Sequence, residues 1–200
     1  MSPQQRHRVV VGGPKGCGKT TFAKYYAQMQ GLPYLGADDI AFALAPHDPA
    51  SVRVSAGREF SRRLSQTLAQ GGSLVLESTL AGSSLARSVA QARANGYLVT
   101  IILVFLDSVE LCLHRIAERV AQGGHNVPEE DVRRRFQRVF PVFWHQYRPH
   151  ANHCLLVFNG GESFLPVAEA TDGVWTVYDA QVWNAFQTFI QGSDHENLPA

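Results

Sequence analysis

Eight residues near the start of the chain, Gly13-Pro14-Lys15-Gly16-Cys17-Gly18-Lys19-Thr20, match the pattern GxxxxGK[ST] in full. They follow an apolar run, Val9-Val10-Val11, and precede a helical pattern, which is the context that the chemistry of this motif demands. Glycines let backbone N–H groups wrap a β-phosphate, and the helix N-terminus adds its positive end. Lys19 is suited to bridge β- and γ-phosphates, and the Thr20 hydroxyl to ligate Mg²⁺. ATP and Mg²⁺ are the expected cofactors; the plainer alternative is a glycine-rich turn that binds nothing. Cys17 lies where a helix N-terminus could lower a thiol pKa, but a small side chain at a variable position explains it as well.

Further polar groups fall at the ends of apolar runs. Asp38 and Asp39 follow the run 32–35, and Glu77-Ser78-Thr79 ends the run 73–77. In a doubly wound sheet both positions are at the carboxyl edge, where ligands bind. A carboxylate at 38 or 39 could take a proton from an attacking hydroxyl, or the pair could cap a helix beginning near Ile40. Glu77 offers an anion to substrate hydroxyls or Mg²⁺ waters, and the serines after it suit an N-cap at Ser83-Ser84. Six arginines, Arg115, Arg119, Arg133, Arg134, Arg135 and Arg138, surround a loop broken by Gly123-Gly124. Such a lid could close on a polyphosphate; the alternative for each arginine is a solvated helical face. A lone His125 in that loop is a weaker candidate.

These residues need a scaffold. Apolar runs at 8–12, 32–35, 73–77, 97–106 and 155–158 alternate with amphipathic stretches at 19–30, 51–70 and 84–94, a pattern that predicts an α/β fold with a parallel sheet. Gly31 with Pro33, Gly71-Gly72 and Asn95-Gly96 supply helix stops. The next helix is expected from a cap at Asp107, with Glu110 closing a capping box, to Gln122. Another opens at Pro128 with Glu129, Glu130 and Asp131 in its first turn, and Pro141 should kink or shorten it. Asp172-Gly173 could turn a small hairpin, and Val182, Trp183, Phe186, Phe189 and Ile190 mark a terminal amphipathic helix. Residues 1–192 read as one domain and 193–200 as a frayed tail.

Composition narrows the function classes. At 200 residues and 45% hydrophobic, the chain suits one core. Eighteen Lys plus Arg against 17 Asp plus Glu leave no global field to collect nucleic acid or an anionic membrane. No apolar run nears the ~18 residues of a membrane span, and residues 1–8 carry no apolar signal region. Cys17, Cys112 and Cys154 form no CxxC pair, which fits a reduced, cytoplasmic setting. No NKxD guanine motif and no LSGGQ-type signature is present, which turns the reading away from GTPase switches and ABC ATPases.

Residues 13–21, Ala37-Asp38-Asp39-Ile40-Ala41, Glu77-Ser78-Thr79-Leu80-Ala81-Gly82, Gly96-Tyr97, the run 115–120 and Gly123-Gly124-His125-Asn126-Val127-Pro128 through Arg134-Arg135-Phe136 resemble the zeta-toxin family of P-loop kinases. The match runs over residues 9–158 and is closest to stand-alone bacterial proteins of that family often labelled predicted ABC-type ATPases. The resemblance implies an adenylate-kinase-like sheet of about five parallel strands with helices on both faces and an arginine-bearing lid. It also implies phosphoryl transfer from ATP to a small-molecule hydroxyl, with the sugar of UDP-N-acetylglucosamine as the leading acceptor. By the same resemblance Gly13 to Thr21 hold the nucleotide, Asp38 is the base, Glu77 and Thr79 hold substrate, and Arg119 with Arg134 or Arg135 clamps phosphates. Ala81 stands where the toxins carry an arginine, and Phe158-Asn159-Gly160 where this branch commonly has Asp-Asn-Ser. Two rivals use the same P-loop: a slow, nucleotide-regulated ATPase, and a module that docks an antitoxin protein through its 182–190 helix.

Overall fold

The computed structural model describes residues 5–83, 85–124, 127–161 and 163–191. Expectations placed on Ser84, His125, Asn126 and the 193–200 tail lie outside the described residues. Seven strands form one sheet: β1 (His7–Gly12), β2 (Tyr34–Leu35), β3 (Leu74–Glu77), β4 (Leu98–Phe105), β5 (His153–Phe158), β6 (Leu165–Thr171) and β7 (Val174–Val177), in spatial order β2-β3-β1-β4-β5-β6-β7. The first five run parallel. The expectation of about five strands is corrected to seven, because the hairpin at Asp172-Gly173 extends the sheet antiparallel to β5. Asp172 (φ 47°) and Gly173 (φ 88°) both adopt the left-handed region that a type I′ hairpin needs.

Helices α1 (Lys19–Gln30), α2 (Ala37–Leu44), α3 (Arg53–Ala69), α4 (Ala86–Ala94), α5 (Val109–Ala121), α6 (Glu129–Val142) and α7 (Ala180–Gln191) fill the connections. The chain crosses leftward from β1 to β2 and rightward from β3 to β4, so right-handed crossovers put α1 and α4 on opposite faces. β1 is then covered on both sides, and Val9, Val10 and Val11 are buried. The order reverses at β1, so the cleft beyond the carboxyl ends of β1 and β3 is the switch point where such sheets take ligands.

Local chemistry shifted several boundaries. The cap of α5 is Ser108, whose hydroxyl accepts from Leu111 N at 3.3 Å; Asp107 stands one residue too early. Helix α2 begins at Ala37 behind an extended Gly36, so Asp38 and Asp39 lie inside its first turn and do not cap a helix at Ile40. No side-chain bond caps α4, which starts after Leu85 and not at the serines. Pro141 does not end α6; past it the backbone loosens into a π-helical turn, Phe143–Tyr147, and a 3₁₀ turn, Arg148–His150. The apolar stripe of α7 is core: Phe186 and Ile190 are buried, and Phe189 stacks on Phe140 with ring centroids 4.5 Å apart. That removes the 182–190 helix as an exposed docking face.

Candidate active site

The glycine-rich turn between β1 and α1 is shaped by close approaches. Gly18 (φ 86°) is the residue before α1, and a Cβ there would lie 2.4 Å from Asn159 Nδ2. That amide donates to Cys17 O at 2.9 Å, so the end of β5 braces the loop. Cys17 is fully buried, and burial pushes its thiol up, which agrees with a small packed side chain and not with a helix-activated thiol. All three cysteines are free and buried.

Lys19 and Glu77 meet at the floor of the loop. Their Nζ and Oε1 are 3.6 Å apart, with side chains only 7% and 8% exposed. The same Oε1 accepts from Thr20 Oγ1 at 2.9 Å, and Oε2 accepts from Tyr34 OH at 2.6 Å. Burial, and then the Glu77 charge, raise the Tyr34 pKa, so the phenol remains a donor. The end of β3 thus places a carboxylate against the P-loop lysine and hydroxyl. Lys19 Nζ also donates to Pro14 O at 3.5 Å. Thr21, one residue on, is exposed.

Across the cleft, Asp38 Oδ2 and Lys15 Nζ form an ion pair at 2.9 Å. Burial favours the neutral form of Asp38, but Lys15, Lys19 and Arg119 outweigh it and hold the carboxyl below its usual range. Burial and then Lys19 pull the Lys15 pKa down, partly offset by Asp38. Asp39 turns away to Lys24 at 2.6 Å. The two neighbouring acids therefore have different partners: Asp38 lines the cleft with its side chain still 72% exposed and pairs with the P-loop, and Asp39 pairs with Lys24 of α1.

A cleft of about 900 Å³ joins these groups. Lys15, Lys19, Asp38, Glu77, Thr79, Arg119 and Arg135 all line it. Its other half is walled by α2, α3 and the segment between them, through Phe42, His47, Arg53, Phe60 and Ser65. Of the arginines, Arg133 pairs with Glu110 and Glu129, and Arg134 pairs with Asp131 on the exposed side of α6. Arg134 is not among the described lining residues, whereas Arg135, 3.8 Å from Asp131, is. Sequence reasoning missed Asn159 as a brace, Tyr34 as a Glu77 partner and the α2–α3 wall. Asn159 carried one signal, an amide immediately after the last apolar residue of β5.

Comparison with known proteins places this arrangement. A Haemophilus influenzae protein with no assigned activity is 29% identical over 132 residues, 66% of this chain and 94% of its own. A chain of the AvrRxo1-ORF1:AvrRxo1-ORF2 complex solved with ATP superposes with a TM-score of 0.71 at 18% identity, over 98% of this chain and 66% of that one. This chain thus spans a little under two thirds of that neighbour's length. The PezAT toxin–antitoxin system of Streptococcus pneumoniae gives a TM-score of 0.63 at 14% identity, over 98% and 90%. A gluconokinase from Sinorhizobium meliloti gives 0.53 at 14%, over 95% and 94%. At these identities the likeness is one of fold. Residues 9–142 match the AAA_33 model, described as an AAA domain, and on that match over more than half its length the chain belongs to this P-loop family.

Proposed function

We propose that the protein is an ATP-dependent kinase of zeta-toxin type that moves the γ-phosphoryl group of ATP onto a hydroxyl of a small acceptor. The observation that carries this reading is the position of Asp38, a carboxylate kept ionised in the cleft and tied to the P-loop through Lys15. A P-loop alone would serve any NTPase; an acid on the acceptor side is what a hydroxyl nucleophile needs. In the step, the acceptor oxygen bonds to the γ-phosphorus and the bond from that phosphorus to the β–γ bridging oxygen breaks. ADP leaves with the bridging oxygen, and the acceptor proton goes to Asp38. Lys19 compensates charge between β- and γ-phosphates, while Arg119 and Arg135, lining the opposite wall, meet charge on the transferring group. Lys19 opens α1, Asp38 lies in the first turn of α2, and Arg119 and Arg135 are on α5 and α6, so transfer would rely on positioning and electrostatics.

The bonded oxygens of Thr20 and Glu77 beside Lys19 fit Mg²⁺, with Thr20 as direct ligand and Glu77 holding its waters. Mg²⁺ there would neutralise phosphate charge. On this reading Glu77 serves the nucleotide side, and Thr79 remains the group facing the acceptor. The zeta-toxin resemblance supports a sugar nucleotide such as UDP-N-acetylglucosamine as acceptor, and the likeness in fold to the PezAT toxin–antitoxin system supports an antitoxin protein as partner. Incubation with γ-labelled ATP and a panel of sugar nucleotides, sugar acids and nucleosides tests the reading. Label in an organic phosphate ester is the expected result; label only in inorganic phosphate would make the protein an ATPase instead.

A further inference from the structure

Arg8 is a fully buried cation with no carboxylate partner among the described residues. It sits on β1, and its Nη2 donates to Ser88 Oγ on α4 at 3.1 Å. Its Nε and Nη1 meet no acceptor among the described residues. A guanidinium taken out of water without a counterion is strongly disfavoured, and burial here pulls its pKa down to about 10. Ser88 accepts from Arg8, so its own hydroxyl proton must point elsewhere, polarised by the cation behind it. Ser88, on α4, lines the cleft, and so does Ser65 near the C-terminal end of α3. The carboxylates nearest the P-loop, Asp38 and Glu77, are already engaged by Lys15 and by Lys19 and Thr20. The α4 side of the cleft therefore presents a hydroxyl backed by a buried cation.

We infer that Arg8, acting through Ser88, makes the α4 floor of the cleft an oxoanion subsite that takes a carboxylate or phosphate group of the acceptor. The word acceptor rests on the kinase reading; the anion subsite does not. Arg8 is a positioning residue, since Ser88 stands between it and the ligand.

The test uses the protein saturated with a non-hydrolysable ATP analogue and Mg²⁺, so that the P-loop is filled. The Arg8 Nε–H resonance, identified by its loss in Arg8→Met, is followed while inorganic phosphate, D-gluconate or neutral sorbitol is added. A saturable shift is expected with phosphate or gluconate and none with sorbitol. The anion that saturates first separates a phosphate ester from a carboxylate. Ser88→Ala should weaken the response ~10-fold, the share of one charge-assisted hydrogen bond. No saturable shift with either anion, or an undiminished one in Ser88→Ala, would mean that internal water satisfies Arg8, and the subsite would be refuted. In turnover, gluconate or glucose 6-phosphate should outperform sorbitol or glucose, and Arg8→Met should raise the acceptor KM ~10-fold with the ATP KM unchanged. An acceptor KM unmoved by Arg8→Met would overturn the inference. If no acceptor supports turnover, the kinase reading fails and the resonance shift alone decides the subsite. Should Arg8→Met not fold, Ser88→Ala on the cleft side carries both readouts.

Discussion

Replacing Glu77 with Gln keeps the shape of the residue that joins β3 to the P-loop and removes its charge. In the nucleotide-free protein this leaves the Lys19 ammonium, 7% exposed, without its partner at 3.6 Å. At an effective dielectric of ~20, unit charges at that distance attract by roughly 4–5 kcal/mol, and breaking one side of a buried pair typically costs ~3–5 kcal/mol. The amide oxygen can still accept from Thr20 and its NH2 can donate to a turned Tyr34 hydroxyl, so the loss should fall at the low end, about 3 kcal/mol. For a chain of 200 residues, each kcal/mol moves Tm by ~2–4 °C, which makes the expected drop ~6–12 °C. Nucleotide should repair most of it, because the phosphates of ATP give Lys19 a new counterion. Calorimetric melting of both proteins, with EDTA and with or without saturating ATP, reads the gap directly. A gap that ATP leaves unchanged, or a variant as stable as wild type without nucleotide, would refute the assignment of Glu77 as the resting partner of Lys19.

Three further outcomes follow from the same geometry. Asp38→Asn should slow transfer by roughly 10²- to 10⁴-fold with ATP binding retained, whereas Asp39→Asn, which loses only an exposed pair with Lys24, should stay within ~1 kcal/mol in stability and near wild-type turnover; an inactive Asp39 variant beside an active Asp38 variant would reverse the roles. Arg135→Ala should lower kcat by ~10²-fold and Arg134→Ala hardly at all, measured as single-turnover rates, and the opposite ranking would move the lid contact to Arg134. The acid limb of the pH–rate profile should lie below the ordinary aspartate value of 3.8, because Lys15, Lys19 and Arg119 depress Asp38. A depressed folded pKa contributes stability above the unfolded value that is lost as pH falls through the folded one, and Lys15→Met should shift the rate limb upward; a limb unmoved by that change would count against the ion pair.

The parts of this molecule written locally were legible in its sequence. GxxxxGK[ST] after three valines fixed β1, the loop and α1, and Lys19–Gln30 was expected to the residue. The Asp172-Gly173 turn announced a hairpin, but whether that hairpin joins the main sheet depends on β5 offering a free edge, which is a tertiary fact. Asp38 could be preferred over Asp39 only by resemblance, since neighbouring side chains on a helical turn diverge and no pattern says which one faces inward. Arg135 and Arg134 posed the same problem on α6. The contacts of Glu77 with Thr20, 57 positions away, and of Asn159 with Cys17, 142 away, come from parallel strands placed side by side. Such long-range pairings leave no spacing signal, and Arg8 looked like an ordinary polar start to a strand.

The most direct test of phosphoryl transfer is the fate of the γ-phosphate. ATP labelled with ¹⁸O on the γ-phosphoryl, incubated with the protein, Mg²⁺ and a small-metabolite extract, should yield labelled organic phosphate monoester in step with ADP. Asp38→Asn should abolish that ester while the protein still binds ATP. Label recovered wholly as inorganic phosphate, at the same rate with and without the extract, would contradict the account and leave a P-loop ATPase with no acceptor.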